Sequence, residues 1–142
     1  MKRILILEDN EERVAQFNRN LAPNMIYVTD QAQEAIHKLK VWDWDILFLD
    51  HDLGGQLNVS TNEVNTGSTV AKWLANNPDR KPSLIIIHSW NTVGSKYMKN
   101  LLPESVIFPS AWVKITSENL TDETIKKLQD EGIQQYKRML SQ

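Results

Sequence analysis

A chain of 142 residues with a net charge of −2 and no cysteine is long enough for one domain with a real core, expected here over residues 1–142. That balance excludes a surface built for non-specific binding to DNA or to an anionic membrane, and the missing thiols exclude disulfides and thiolate metal sites and suit a reducing cytoplasm. Lys2 and Arg3 precede an apolar run, but Glu8 and Asp9 cut it short of a signal-peptide core, and no run is long enough to span a bilayer.

Ile4 to Leu7 reads as a strand buried on both faces, ending at Glu8, Asp9 and Asn10. Asp9 or Asn10 caps the following helix, whose inner face carries Val14, Phe17 and Leu21 and which closes at Pro23 and Asn24. Met25 to Val28 gives a second strand. Asp30, with Gln33 at the capping-box position, opens a helix with Ala32, Ala35, Ile36 and Leu39 inward. Ile46 to Leu49 is a third strand, stopping at Asp50, His51 and Asp52 before Gly54 and Gly55. A polar loop from Gly54 to Thr66, long for a strand–helix connection, leads to a helix over Gly67 to Asn77 with Val70, Trp73 and Leu74 inward. After a turn at Pro78 to Pro82, Leu84 to Ile87 forms a fourth strand ending in His88, Ser89, Trp90 and Asn91. The next helix, Thr92 to Leu102, is expected to bury Val93, Tyr97, Met98, Leu101 and Leu102. Val106 to Phe108 is a fifth strand closed by Pro109, and Ser110 to Asn119, with Lys114, is expected to be irregular. A last helix begins near Thr121, packed by Ile125, Leu128, Ile133, Tyr136 and Leu140, with Gly132 a candidate kink.

Strand and helix thus alternate through the chain, and the strands are continuous apolar runs. This pattern implies an α/β fold with a doubly wound, five-stranded parallel sheet, best matched by the flavodoxin-like order 2-1-3-4-5. In such sheets ligands bind at the carboxyl ends of the strands. There Glu8, Asp9 and Asp50 converge, with Asp52 a further donor; crowded carboxylates need a proton or a cation between them, and hard oxygen donors suit Mg²⁺ or Mn²⁺. The alternative is that Asp9 caps the first helix and the other acids are solvated. His51 and His88 each follow a buried strand and together would supply a general base and a general acid; the alternative is that each only hydrogen-bonds a loop or a carboxylate. Ser89 and Asn91, at a helix start, are candidates for holding a phosphate oxygen, or ordinary caps, and Lys114 is a candidate counter-charge.

KRILILEDNEERV and DILFLD resemble the opening and the phosphoacceptor segment of receiver domains of two-component signalling, over nearly the whole chain. The resemblance implies Mg²⁺ at Glu8 and Asp9 and phosphorylation of Asp50, with Ser89 in the place of the switch hydroxyl. His51-Asp52-Leu53-Gly54 departs from the usual Met-Pro after the aspartate, and Phe108-Pro109 lacks the lysine that precedes proline, unless Lys114 substitutes. LDHDLGG with HSWN is more similar to cyclic-phosphate processing receiver domains, which implies a metal-dependent hydrolase of cyclic nucleotides or cyclic-phosphate RNA ends with His51, His88 and Asp50 in its active site. Two other roles stay open beside it, a receiver phosphorylated on Asp50 that alters a protein partner, and a non-catalytic binding module.

Overall fold

The structure is a computed structural model and describes residues 1–53, 60–61 and 63–142. Five strands, β1 (Arg3–Leu7), β2 (Met25–Thr29), β3 (Ile46–Leu49), β4 (Leu84–Ile87) and β5 (Val106–Ile107), form one parallel sheet in the order β2-β1-β3-β4-β5. This is the flavodoxin-like order that the alternation of apolar runs implied. The helices are α1 (Glu11–Leu21), α2 (Ala32–Val41), α3 (Gly67–Asn76), α4 (Thr92–Leu101), α5 (Ala111–Lys114) and α6 (Asp122–Leu140).

Successive strand side chains point to opposite faces, so each apolar run feeds two cores. Ile4, Ile6, Ile46, Phe48 and Ile86 pack with Phe17 and Leu21 of α1 and with residues of α5 and α6. Leu5, Leu7, Leu47, Leu49 and Ile87 pack instead with α2, α3 and α4. Each fully buried side chain of this size stabilises the fold by roughly 1.5–3 kcal/mol.

Several local expectations need correction. Asp30 does not cap α2: Gln31 takes the N-cap position with no side-chain bond, and the Ala32 N–H instead donates to Asn65 Oδ1 at 2.7 Å. A residue far along the chain thus does the work expected of a local box. Val93 is 72% exposed, and α4 turns Gly94, Ser95, Met98 and Lys99 inward. The Lys99 ammonium donates to the carbonyls of Pro103, Ser105 and Gly132, and burial pulls it down to about 8. Ala111–Lys114 is a helical turn rather than irregular chain. Gly132 does not end α6; a Cβ there would lie 2.6 Å from Ser105 O, so the glycine permits close packing on the chain before β5. Ile133 and Leu140 are exposed, against expectation.

The loop expected from Gly54 lies partly outside the described residues, Gly54 and Gly55 included. Its two ends are placed together: the Gly67 N–H donates to His51 O at 3.2 Å. A Cβ on Gly67 would fall 2.2 Å from Asp50 O, so only glycine fits where α3 starts against the end of β3.

Candidate metal and phosphate site at the sheet rim

Register builds the site. Leu7, Leu49 and Ile87 are level in adjacent strands, so the next residues, Glu8, Asp50 and His88, come level too. The ladder carries on past the strand ends, with the Asp50 N–H donating to Leu7 O at 3.2 Å and the His88 N–H to Leu49 O at 3.0 Å. By the period of two, all three side chains share the face of Ile6, Phe48 and Ile86, beneath α1. Their donor atoms lie within 4.8 Å of one another, and all three residues are buried.

Each is held from more than one side. Glu8 Oε2 accepts from the Asp9 and Asn10 N–H groups, both at 3.1 Å, and Glu8 Oε1 lies 3.0 Å from His88 Nε2. A carboxylate acceptor there places the imidazole proton on Nε2, leaving Nδ1 buried and without a partner among the described residues. The His88 ring stands edge-on to Phe17 and Phe48, at centroid distances of 5.3 and 6.1 Å, which fixes its plane. Asp50 Oδ1 accepts from the His51 N–H at 2.8 Å, and Ser89 stands near enough to favour the charged carboxylate.

The two carboxyls are driven apart. Burial pushes Asp50 up to about 7, the Glu8 charge adds to this, and His88, Ser89 and Arg13 only partly offset it. Burial also pushes Glu8 upward, but the His88 hydrogen bond and charge, the Asn10 N–H and Arg13 outweigh it and hold Glu8 below its ordinary value. Such a cluster is short of positive charge. Two buried carboxylates and an imidazole with converging donor atoms are a fitting set for Mn²⁺, and for Mg²⁺ through the oxygens.

The remaining candidates fall elsewhere. Asp9 is half-buried and lines, with Glu8, a cleft of about 530 Å³ between α1 and β2, outside the converging group. His51, one residue out of phase with Asp50, lies on the opposite face of the sheet. Its ring packs on α4, where a Cβ at Gly94 would meet His51 Cγ at 2.5 Å. The expectation that both imidazoles share a pocket fails for this reason, since neighbouring residues at a strand end project to opposite sides. Asp52 also turns that way, with Oδ1 3.2 Å from His51 Nδ1 and accepting from Asn91 Nδ2 at 3.0 Å. Asn91 caps α4 through Oδ1, which accepts from the Gly94 N–H at 2.9 Å. Lys114 is exposed at the end of α5, away from the ion pairs of Asp50.

A residue the sequence reading passed over is Arg13. Its Nη1 lies 3.7 Å from Glu8 Oε1 and 3.9 Å from Asp50 Oδ2, and among the described residues it is the cation that pairs with Asp50. The signal was available: Arg13 stands in the first turn of α1, the end of a helix where a positive side chain is disfavoured.

The family described as Cyclic-phosphate processing Receiver domain matches residues 3–104. Among curated proteins none matches the chain by sequence. Among solved structures, the phosphorylated cyanobacterial phytochrome response regulator RcpA is similar at a TM-score of 0.60 and 18% identity, over 99% of this chain and 94% of that one. A CheY-like response regulator receiver domain protein from Methanospirillum hungatei gives 0.59 and 17%, over 95% and 98%. The response regulator TrrA from Thermotoga maritima, in complex with Mg²⁺ and BeF, gives 0.53 and 21%, over 90% and 99%. At these identities the likeness to solved structures is one of fold.

Proposed function

The chain belongs to the family of cyclic-phosphate processing receiver domains, and on that footing we propose that it is a hydrolase of cyclic phosphates, dependent on Mg²⁺ or Mn²⁺, that opens a cyclic nucleotide or a cyclic-phosphate RNA end to a monoester. The observation that carries this reading is His88: a buried imidazole 3.0 Å from Glu8, level with Asp50, puts a proton carrier inside the acid cluster.

Glu8 and Asp50 would be the oxygen donors for the cation, with waters completing the set. When bound, the cation supplies charge stabilisation at phosphorus and eases deprotonation of water. Glu8 and His88 act as one proton-handling unit, oriented by the Asp9 and Asn10 N–H groups and by the Phe17 and Phe48 rings. Water adds across one phosphorus–oxygen bond of the ring: its oxygen bonds to phosphorus, the ring bond breaks, and the pair returns the proton to the released oxygen. The Ser89 hydroxyl, beside the Asp50 carboxyl, holds a phosphate oxygen. His51 is a positioning residue: with Asp52 and Asn91 it fixes the end of β3 against α4.

The test is turnover of 2′,3′- and 3′,5′-cyclic nucleotides with Mn²⁺, which a chelator should abolish and the His88→Ala change should lower by about 10²–10⁴-fold. A second reading is favoured by the nearness of Ser89 to the buried Asp50 carboxyl, which resembles the phosphoacceptor arrangement of receivers. If acetyl phosphate labels the wild type but not Asp50→Asn, and no cyclic phosphate turns over, phosphoryl acceptance on Asp50 replaces hydrolysis as the function.

A further inference from the structure

The cleft beside Glu8 and Asp9 is also lined by Glu11, Asp30 and Glu34. An anionic ligand approaching this rim meets repulsion unless positive charge is built in. The chain has Phe108 immediately before Pro109, and Lys114 is exposed on α5, so neither supplies it. Arg13 does not line the cleft but stands at the same rim, between Asp50 and the Trp112 ring. Its backbone N–H donates to the Asn10 cap, which sets the first turn of α1, and its guanidinium carbon lies 5.7 Å from the centre of the Trp112 ring. The side chain is 25% exposed, so one side of the fork meets solvent while the other faces the acids.

The distances to Glu8 and Asp50, 3.7 and 3.9 Å, are those of a loose ion pair. None of the guanidinium N–H donors makes a hydrogen bond among the described residues, so the fork keeps its full donor capacity beside the strand ends. Its place in the first turn is unfavourable to a cation on helix-dipole grounds, which argues that something other than helix stability keeps it there. The same position sets it beside free helix N–H groups, where the two fields add for an anion.

We infer that Arg13 is a phosphate-binding residue of this site: while the site is empty it neutralises Glu8 and Asp50, and when the divalent cation takes over that task the guanidinium turns on the Trp112 face to grip a phosphoryl oxygen. The inference rests on a phosphate ligand at this rim, and holds whether that phosphate is a ring diester or a group carried on Asp50. Arginine suits this role because its planar fork matches two phosphate oxygens at once.

The experiment compares wild type, Arg13→Gln and Arg13→Lys, each shown by thermal melting to be folded. It measures Mn²⁺ binding alone and then inorganic phosphate binding with Mn²⁺ saturating. Arg13→Gln should bind Mn²⁺ as tightly as wild type or several-fold tighter, because a competing cation is gone, and should bind phosphate about tenfold to a hundredfold more weakly. Arg13→Lys should recover part of the phosphate affinity. Unchanged phosphate affinity in Arg13→Gln, or an equal loss of both affinities, overturns the assignment. Wild-type protein that binds phosphate through Arg13 but turns over no cyclic phosphate sinks the hydrolase reading and leaves this one standing.

Discussion

The rim of the sheet carries two carboxylate–imidazole pairs of nearly equal length, Glu8 with His88 at 3.0 Å and Asp52 with His51 at 3.2 Å. They differ in what surrounds them. The first pair lies beneath α1 beside a second buried carboxyl, a guanidinium and a cleft. The second is closed by the Asn91 amide and by the first turn of α4, with Gly94 against the ring. Identical chemistry on opposite faces therefore takes different work. One pair has a charge deficit that a ligand can relieve, and the other joins the end of β3 to the Asn91 cap of α4 through Asp52 Oδ1 and His51 Nδ1, so that it fastens strand to helix.

The sharpest way to break this contrast is to remove each imidazole in turn. His88→Ala should lower kcat by about 10²–10⁴-fold, the usual worth of a proton carrier. His51→Ala should leave kcat within about tenfold of wild type and lower the melting temperature instead. Equal losses of kcat would mean that the two faces are not distinct in function. Next in size, Gly94→Ala drives a Cβ into the His51 ring and should cost about 3 kcal/mol in denaturant unfolding. Combined with His51→Ala the cost should largely vanish, because the clashing ring is gone, and a double-mutant cycle reads that coupling directly.

On the α1 face, Asp50 supplies a pH test. Its folded value is about 7 against an ordinary 3.8, so the fold favours the protonated carboxyl. That preference stabilises the protein fully at low pH and is lost as pH rises through the interval between the two values. Without divalent cation, Asp50→Asn should thus gain on wild type between pH 4 and pH 7, reaching an advantage of about 2 kcal/mol above pH 7. Mn²⁺ should reverse the order by stabilising only the wild type. The smallest effect is expected at Asn65: its change to alanine removes the Oδ1 that caps α2 and should cost about 1 kcal/mol with kcat unaltered, as befits the fastening face.

The sequence made the sheet legible because buried parallel strands are short apolar runs, four of which ended where a titratable residue began while a turn at Pro109 closed the fifth. It also placed Glu8, Asp50 and His88 at one rim. What it hid depended on phase and distance. The alternation that separates His51 from Asp50 was readable from Phe48 and Leu49, had the period of two been carried past the strand end. The Asn65 cap was not readable, because a hydrogen bond over 33 positions leaves no local pattern. Val93 and Lys99 misled the reading of α4 because the polar Lys99 is satisfied by three carbonyls and so can be buried, while the apolar Val93 faces outward.

The hydrogen bond from Gly67 to His51 has a wider meaning. Where a long excursion leaves and rejoins a scaffold at one point, the scaffold does not register its length: doubling such a segment adds only about 0.6 kcal/mol of closure entropy. Three residues inside this closure are themselves tied to the scaffold, Asp52 to Asn91, Leu53 to the core and Asn65 to the start of α2, so an insertion is tolerated only where it leaves those ties in place.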